Sequence, residues 1–238
     1  MRFDIITIFP NIFDSYFKET LLGRAQKKKL IEIRIHNLRR WTNDARKTVD
    51  DKPFGGGLGM VMRIEPIYKA VHFIQKSPPS LKLRRASKTI LFSPRGKKFD
   101  QKMAYEFAKL DQLIMICGRY EGVDERVGKY VADEQISIGD YDLMGGELAA
   151  MIVVETISRL VPGVIGKSQF LDTHIPKRRG RGGRGFIEYP QYTRPAVFSA
   201  KGGPASGGQK WGVPKVLMSG DHKKIDEWRN KHGKVIEK

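Results

Sequence analysis

Hydrophobic and polar positions alternate along this chain in short blocks whose period switches between two and about 3.6 residues. Residues 3–9 are apolar-rich and stop at Pro10, which reads as a buried strand. Ile31, Ile33 and Ile35 alternate with Glu32, Arg34 and His36, the pattern of a half-buried strand. The stretch 42–60 holds Asp-Asp-Lys-Pro-Phe-Gly-Gly-Gly-Leu-Gly and predicts a long loop. A helix is expected over 65–75, broken by Ser77-Pro78-Pro79-Ser80.

Further along, 88–92 predicts a strand ending at Ser93-Pro94-Arg95-Gly96, and Asp100 an N-cap for a helix through Leu110. Residues 113–117 form a fully apolar strand, 123–131 a helix, and 134–138 another strand. Gly145-Gly146 leads into the most apolar helix, about 147–160. Near the carboxyl terminus Asp221 caps a helix over 222–232, with Gly233 as its stop and Ile225 and Trp228 on its buried side. Strands alternating with helices predict an α/β layered fold with a parallel sheet, in which ligands collect beyond the carboxyl ends of the strands.

Three successive strands run into glycine-bearing loops: Ser93-Pro94-Arg95-Gly96, Gly118-Arg119-Tyr120-Glu121-Gly122, and residues 138–146. Glycine at a strand end lets backbone approach a ligand closely, although one tight turn alone also selects it. Three such loops favour a pocket.

Charge adds a partner. The chain of 238 residues carries a formal net charge of +18, which implies a polyanion, most simply nucleic acid. The excess is uneven. Acidic side chains outnumber basic ones between 103 and 166, and basic ones dominate on both sides. The segment Lys177-Arg178-Arg179-Gly180-Arg181-Gly182-Gly183-Arg184-Gly185 resembles an arginine-rich RNA-binding arm. The single cysteine, Cys117, excludes an intrachain disulfide and lies in an apolar strand, where a buried inert thiol is expected.

Several chemistries drop out. Gly57-Leu58-Gly59 has Met at 62 where a dinucleotide fingerprint needs glycine, and no strand precedes it. Gly166-Lys167-Ser168 has Val at 161 where a P-loop needs glycine. The five histidines show no zinc spacing, so no metal ligands are assigned. The acid at Asp4 argues against a secretory signal, and the longest apolar stretch, 148–154, is too short to span a bilayer, so a cytoplasmic protein without membrane association is expected.

Longer motifs carry a resemblance. Asp4 to Phe13, Arg40-Trp41-Thr42-Asn43-Asp44, Val49 to Val61, Cys117 to Asp124, Ile138 to Gly146, Tyr189 to Pro195 and Val213 to Arg229 are similar, in order, to bacterial tRNA (guanine-N1)-methyltransferases acting at position 37. The resemblance implies a SPOUT-type parallel sheet with a deep trefoil knot, S-adenosylmethionine as methyl donor, a homodimer with shared active sites, and a tRNA anticodon stem-loop with guanine at position 37 as substrate. It implies a catalytic domain at 1–165, a basic Arg/Gly linker at 166–185 and a helical tRNA-binding domain at 186–238.

By the same resemblance the donor is held by Leu91, Ser93, Pro94, Gly96, Gly118, Tyr120, Glu121, Ile138, Gly139, Asp140, Tyr141, Asp142, Leu143, Gly145 and Gly146. Arg159 matches the arginine that stabilises negative charge on the guanine. The family's base is an aspartate within Ser-x-x-x-Asp-Ser. Ser168-Gln169-Phe170-Leu171-Asp172-Thr173 offers Asp172 at that spacing in a loop two residues shorter, whereas an ungapped register puts His174 there. Lys177, Arg178, Arg179, Arg181, Arg184 and Arg194 are expected to hold RNA phosphates. A magnesium ion (Mg2+) is not readable from these residues. The rival readings are a non-catalytic RNA-binding protein of the same fold and a knotted methyltransferase acting at another RNA position.

Overall fold

A computed structural model describes residues 1–76, 86–166, 187–199 and 210–235, and divides the chain into two units, Met1–Ser168 and Gln169–Lys238. In chain order the first unit holds β1 (Arg2–Thr7), α1 (Thr20–Lys27), β2 (Glu32–Asn37), β3 (Asp50–Asp51), β4 (Val61–Met62), α2 (Ile64–Gln75) and β5 (Ser87–Lys98). It continues with α3 (Gln101–Phe107), β6 (Gln112–Ile116), α4 (Glu125–Tyr130), β7 (Glu134–Ser137) and α5 (Glu147–Ser158).

Five strands form one parallel sheet in the order β2-β1-β6-β5-β7. β1 and β6 are buried at every residue; β6 accordingly reads as apolar after Gln112, whereas β1 buries Arg2, Asp4 and Thr7 among its apolar residues. The strand period of two sorts their side chains between two cores. Phe3, Ile5, Leu113, Met115 and Cys117 enter one with Leu22 of α1, Phe107 of α3 and Val153 of α5. Ile6, Ile114 and Ile116 enter the other with Ile67, Val71 and Ile74 of α2 and Val127 of α4. Helices therefore cover both faces, and the open ends of the strands are what remains for a ligand.

The structure departs from the sequence pattern in instructive places. Ser93-Pro94-Arg95-Gly96 does not end its strand: β5 runs on to Lys98, and Phe92 and Lys97 both pair with Ile136. Residues 93–96 bulge out of the ladder, where proline's missing N–H leaves no bond unmade. The expected loop 42–60 contains β3, which pairs antiparallel with β4. The helix expected over 123–131 starts at Glu125, because the Asp124 carboxylate accepts the Arg126 N–H at 3.0 Å. Asp100 does cap α3, accepting from the Met103 N–H at 2.8 Å.

The second unit, expected to be helical, contains only one α-helix among its described residues, α6 (His222–His232). Two antiparallel ribbons join it: β8 (Ile187–Glu188) with β11 (Lys234–Val235), and β9 (Val197–Ser199) with β10 (Lys210–Gly212). Asp221 caps α6 by accepting from the Lys224 N–H at 3.2 Å. Trp228 packs on His232 and on Tyr192, and Ile225 is buried. Among the described residues no helix is long and apolar enough to cross a membrane. Nor does any group of three or more His, Cys, Asp or Glu among them lie close enough to hold a metal ion.

Candidate active site

The carboxyl ends of β5, β6 and β7 open into a cavity of about 360 Å³. Its walls bring together Leu91 of β5, Ser93 and Pro94 from the β5 bulge, and Gly118, Tyr120 and Glu121 from the loop after β6. Ile138, Gly139, Tyr141, Asp142, Leu143, Gly145 and Gly146 come from the loop before α5. Gly96 and Asp140, expected beside them, do not line it. Gly96 lies against the Gln135–Ile136 backbone, where a Cβ would come within 2.5 Å of the Ile136 nitrogen. Asp140 points to solvent and pairs with Lys98 at 2.5 Å.

The loop after β6 is held from outside. Its N–H groups at Glu121 and Asp124 donate to the Met60 and Met62 carbonyls at 3.0 Å each, and the Met62 N–H donates to the Gly122 carbonyl at 3.0 Å. Thus β4 braces the cavity wall, and Tyr120 is kept at φ 60, a left-handed conformation costly for a side chain with Cβ. The loop before α5 is pinned from inside. The Gly146 N–H donates to the Gly118 carbonyl at 3.0 Å, and a Cβ on Gly146 would sit 2.8 Å from the Cys117 Cα. Only glycine permits that approach.

Charge on the lining is mostly compensated, with one sign left over. The two lining arginines are both paired: Arg95 with Glu125 at 2.6 Å and Arg119 with Glu147 at 2.9 Å. Glu121 and Asp142 also line the cavity, and neither makes an ion pair among the described residues. The uncompensated charge is therefore negative, which suits a cationic ligand and disfavours phosphate. Behind the floor Cys117 is wholly buried, and desolvation, followed by the nearby Glu147 charge, pushes its thiol well above the usual range. A protonated thiol under backbone is inert, as the apolar strand suggested.

Arg119 and Glu147 were missed by the sequence reading. Glu147 is 1% exposed; its carboxylate accepts from the Thr7 hydroxyl at 2.7 Å and from Arg119 Nε at 2.9 Å. Arg119 also donates to the Met144 carbonyl at 3.3 Å and lies over the Phe9 ring at 4.8 Å. An acid opening the most apolar helix was the available signal, since glutamate is almost never buried unpaired.

Arg159 is exposed at the far end of α5. The 12 residues of that helix span about 18 Å, so Arg159 is remote from the cavity. Arg194 is exposed in the second unit. Asp172, His174, Lys177, Arg178, Arg179, Arg181 and Arg184 lie outside the described residues.

Comparison with known proteins gives these features a context. The family model described as "tRNA (Guanine-1)-methyltransferase TrmD" matches residues 1–236. A protein of Dictyoglomus turgidum named tRNA (guanine-N(1)-)-methyltransferase is 48% identical over 231 residues, covering 97% of this chain and 84% of that one. Proteins of the same name from Dehalococcoides mccartyi and Carboxydothermus hydrogenoformans are 43% and 45% identical, each over 97% of this chain and over 85% and 82% of their own lengths.

Proposed function

The chain belongs to the tRNA (guanine-1)-methyltransferase family, and from that premise we propose that it methylates N1 of the guanine at position 37 of tRNA, with S-adenosylmethionine as donor. The observation that carries the donor assignment is the cavity itself. It is roomy and glycine-walled, and two of its carboxylates, Glu121 and Asp142, without an ion-pair partner among the described residues, match a sulfonium cation. The donor, when bound, supplies the methyl group. The protein's share is to fix the donor in line with the attacking nitrogen, remove its proton and stabilise the charge that develops on the base.

Asp172 is the proposed base, being the one acid between Glu155 and Glu188. Its carboxylate accepts the guanine N1 proton. Arg159 is the proposed cation for the developing negative charge. Its distance from its own cavity supports a homodimer in which a second protomer supplies it. Leu148 and Ile152 stand exposed on α5 and Met144 is 90% exposed just before it, an apolar surface suited to a second copy. The knotted topology expected of the family fits the way β7 and its following loop are pinned, by Gly96 on one side and by the Cys117–Gly118 backbone on the other. Lys177, Arg178, Arg179, Arg181, Arg184 and Arg194 hold anticodon-stem phosphates, which makes affinity fall steeply with salt.

The test is transfer of labelled methyl from S-adenosylmethionine to unmodified tRNA, mapped to a nucleotide. Label at N1 of guanine 37, abolished by Asp172→Ala with tRNA binding retained, is the expected result. Binding without transfer in the wild type leaves a non-catalytic RNA-binding protein, and transfer to tRNAs lacking guanine 37 overturns the position. Full activity of Asp172→Ala moves the base to His174.

A further inference from the structure

A guanidinium in the wall of a site for a cationic donor is a liability, and the structure shows how it is managed. Arg119 lines the cavity, with its side chain about one-fifth exposed there. A sulfonium brings one positive charge into the same space, and in a cavity of this size like charges repel appreciably. Glu147 stands directly behind Arg119, 2.9 Å away and shielded from water. Its second oxygen is taken by the Thr7 hydroxyl at 2.7 Å, which fixes the carboxylate at the end of β1. Arg119 is fixed in turn by the Met144 carbonyl and the Phe9 ring. It also lies in the space beside Gly145: a Cβ there would overlap its Nε and come within 2.5 Å of its Cδ.

We propose that Glu147 is a positioning residue that neutralises and immobilises Arg119, so that the cavity prefers the methyl donor to its product, which lacks the sulfonium charge. This rests on reading the cavity as the S-adenosylmethionine site. Arg119 so held ties the loop after β6 to the loop before α5 while adding no net charge to the wall. The same arrangement favours turnover. After transfer the sulfonium has become a thioether, the negative character of Glu121 and Asp142 no longer holds the ligand, and the product leaves more easily.

The decisive comparison is between S-adenosylmethionine and S-adenosylhomocysteine, which differ by the methyl group and its positive charge. Dissociation constants for both are measured by calorimetry on the whole chain, wild type and Glu147→Gln. Glutamine keeps the shape and removes the charge, leaving Arg119 uncompensated. The expected result is a loss of about tenfold in affinity for S-adenosylmethionine with S-adenosylhomocysteine changed by less than about threefold. Glu147→Asp, which keeps the charge, should restore the wild-type ratio of the two constants. Equal weakening of both ligands would show a purely structural role and overturn the proposal, as would no change in either.

Gly145→Ala gives an independent arm if Glu147→Gln fails to fold. Its methyl group displaces the flexible end of Arg119 from Glu147, and the same bias against S-adenosylmethionine is expected. An unchanged ratio there also overturns the proposal. Failure of the wild type to bind either ligand would instead sink the assignment of the cavity, which is a different result.

Discussion

Two buried carboxylates, one in the sheet and one at the start of α5, are each paired with a guanidinium, and they do opposite things. Asp4 lies within β1, wholly buried, and accepts from Arg2 Nε at 2.7 Å, from Gln112 Nε2 at 2.8 Å and from the His36 ring at 2.7 Å. Its partners come from β1, β2 and β6, so the network fixes three strands in one register, and the Arg2–Asp4 pair at its centre is closed to solvent. Glu147 is buried as deeply, but its guanidinium faces the cavity. The lesson is that a buried ion pair takes its role from what its outer partner can touch. A closed pair specifies the fold, whereas a half-open one sets the charge of a site.

Substitutions break this contrast in descending order of effect. Asp4→Ala strips the carboxylate from a closed network and leaves Arg2 buried without a counter-charge. A loss of about 3–5 kcal/mol in unfolding free energy by urea titration is expected. The protein that remains folded should keep its preference between the two ligands, which a change at Glu147 does not. If Asp4→Ala also shifts that preference, the two networks are coupled and the division of labour fails.

Gly146→Ala comes next. Its Cβ would meet Cys117 Cα at 2.8 Å and Gly118 N at 3.2 Å, both backbone atoms that cannot swing aside. Overpacking of this kind costs about 1–3 kcal/mol, and both ligands should weaken together because the cavity floor moves. Thermal unfolding with and without S-adenosylhomocysteine checks this. Equal affinity in the variant would mean the floor is not part of the site.

The pH dependence of Asp4 sharpens the comparison further. Burial pushes its carboxyl up, but hydrogen bonds from His36 and Gln112 and the Arg2 guanidinium outweigh this and hold it below the ordinary carboxylate range. A carboxyl depressed in the folded state stabilises the protein above its unfolded value, near 3.9, and that contribution disappears as pH falls through the depressed value. Stability should therefore drop on acidification below about pH 4. Asp4→Asn, already weakened at neutral pH, should show a shallower drop over that interval. Parallel acid limbs for the two proteins would remove Asp4 from the account.

The smallest effect belongs to the rim. Asp140 and Lys98 pair across exposed side chains, and Asp140→Ala should change stability by no more than about 1 kcal/mol. Its ligand affinity should also stay within about twofold of wild type in the same calorimetry, since a fully solvated rim carboxylate adds little. A tenfold loss would return Asp140 to the site.

The sequence was readable where one element explains its own pattern. The parallel strands, α2, α3 and α5, and the three glycine-bearing loops all follow from local period and turn chemistry. Unreadable features depended on distant partners. Thr7, Arg119 and Glu147 meet only when β1, β6 and α5 are assembled, so no spacing announces them. Proline at 94 argued for a strand end, yet the ladder resumes after a bulge because β7 offers Ile136 a second time. The strands of the second unit are two or three residues long, too short to show any period. Arg159 is expected in the site by resemblance alone, and its remoteness from the cavity follows only from the direction of α5.

The strand order has a consequence in time. Arg2 pairs with Gln112, and Ile90 with Glu134, so the sheet is built from contacts between residues far apart along the chain. Such topologies fold slowly, because loop closure is paid for before the contacts that reward it exist. The walls of the cavity come from three loops that meet only when β7 has docked beside β5. Ligand affinity therefore requires β7 in place beside β5, and a cavity ligand adds about 2.7 kcal/mol of stability at a hundredfold excess over its Kd. Occupancy of the cavity thus favours the chain in which β7 and the three loops are assembled.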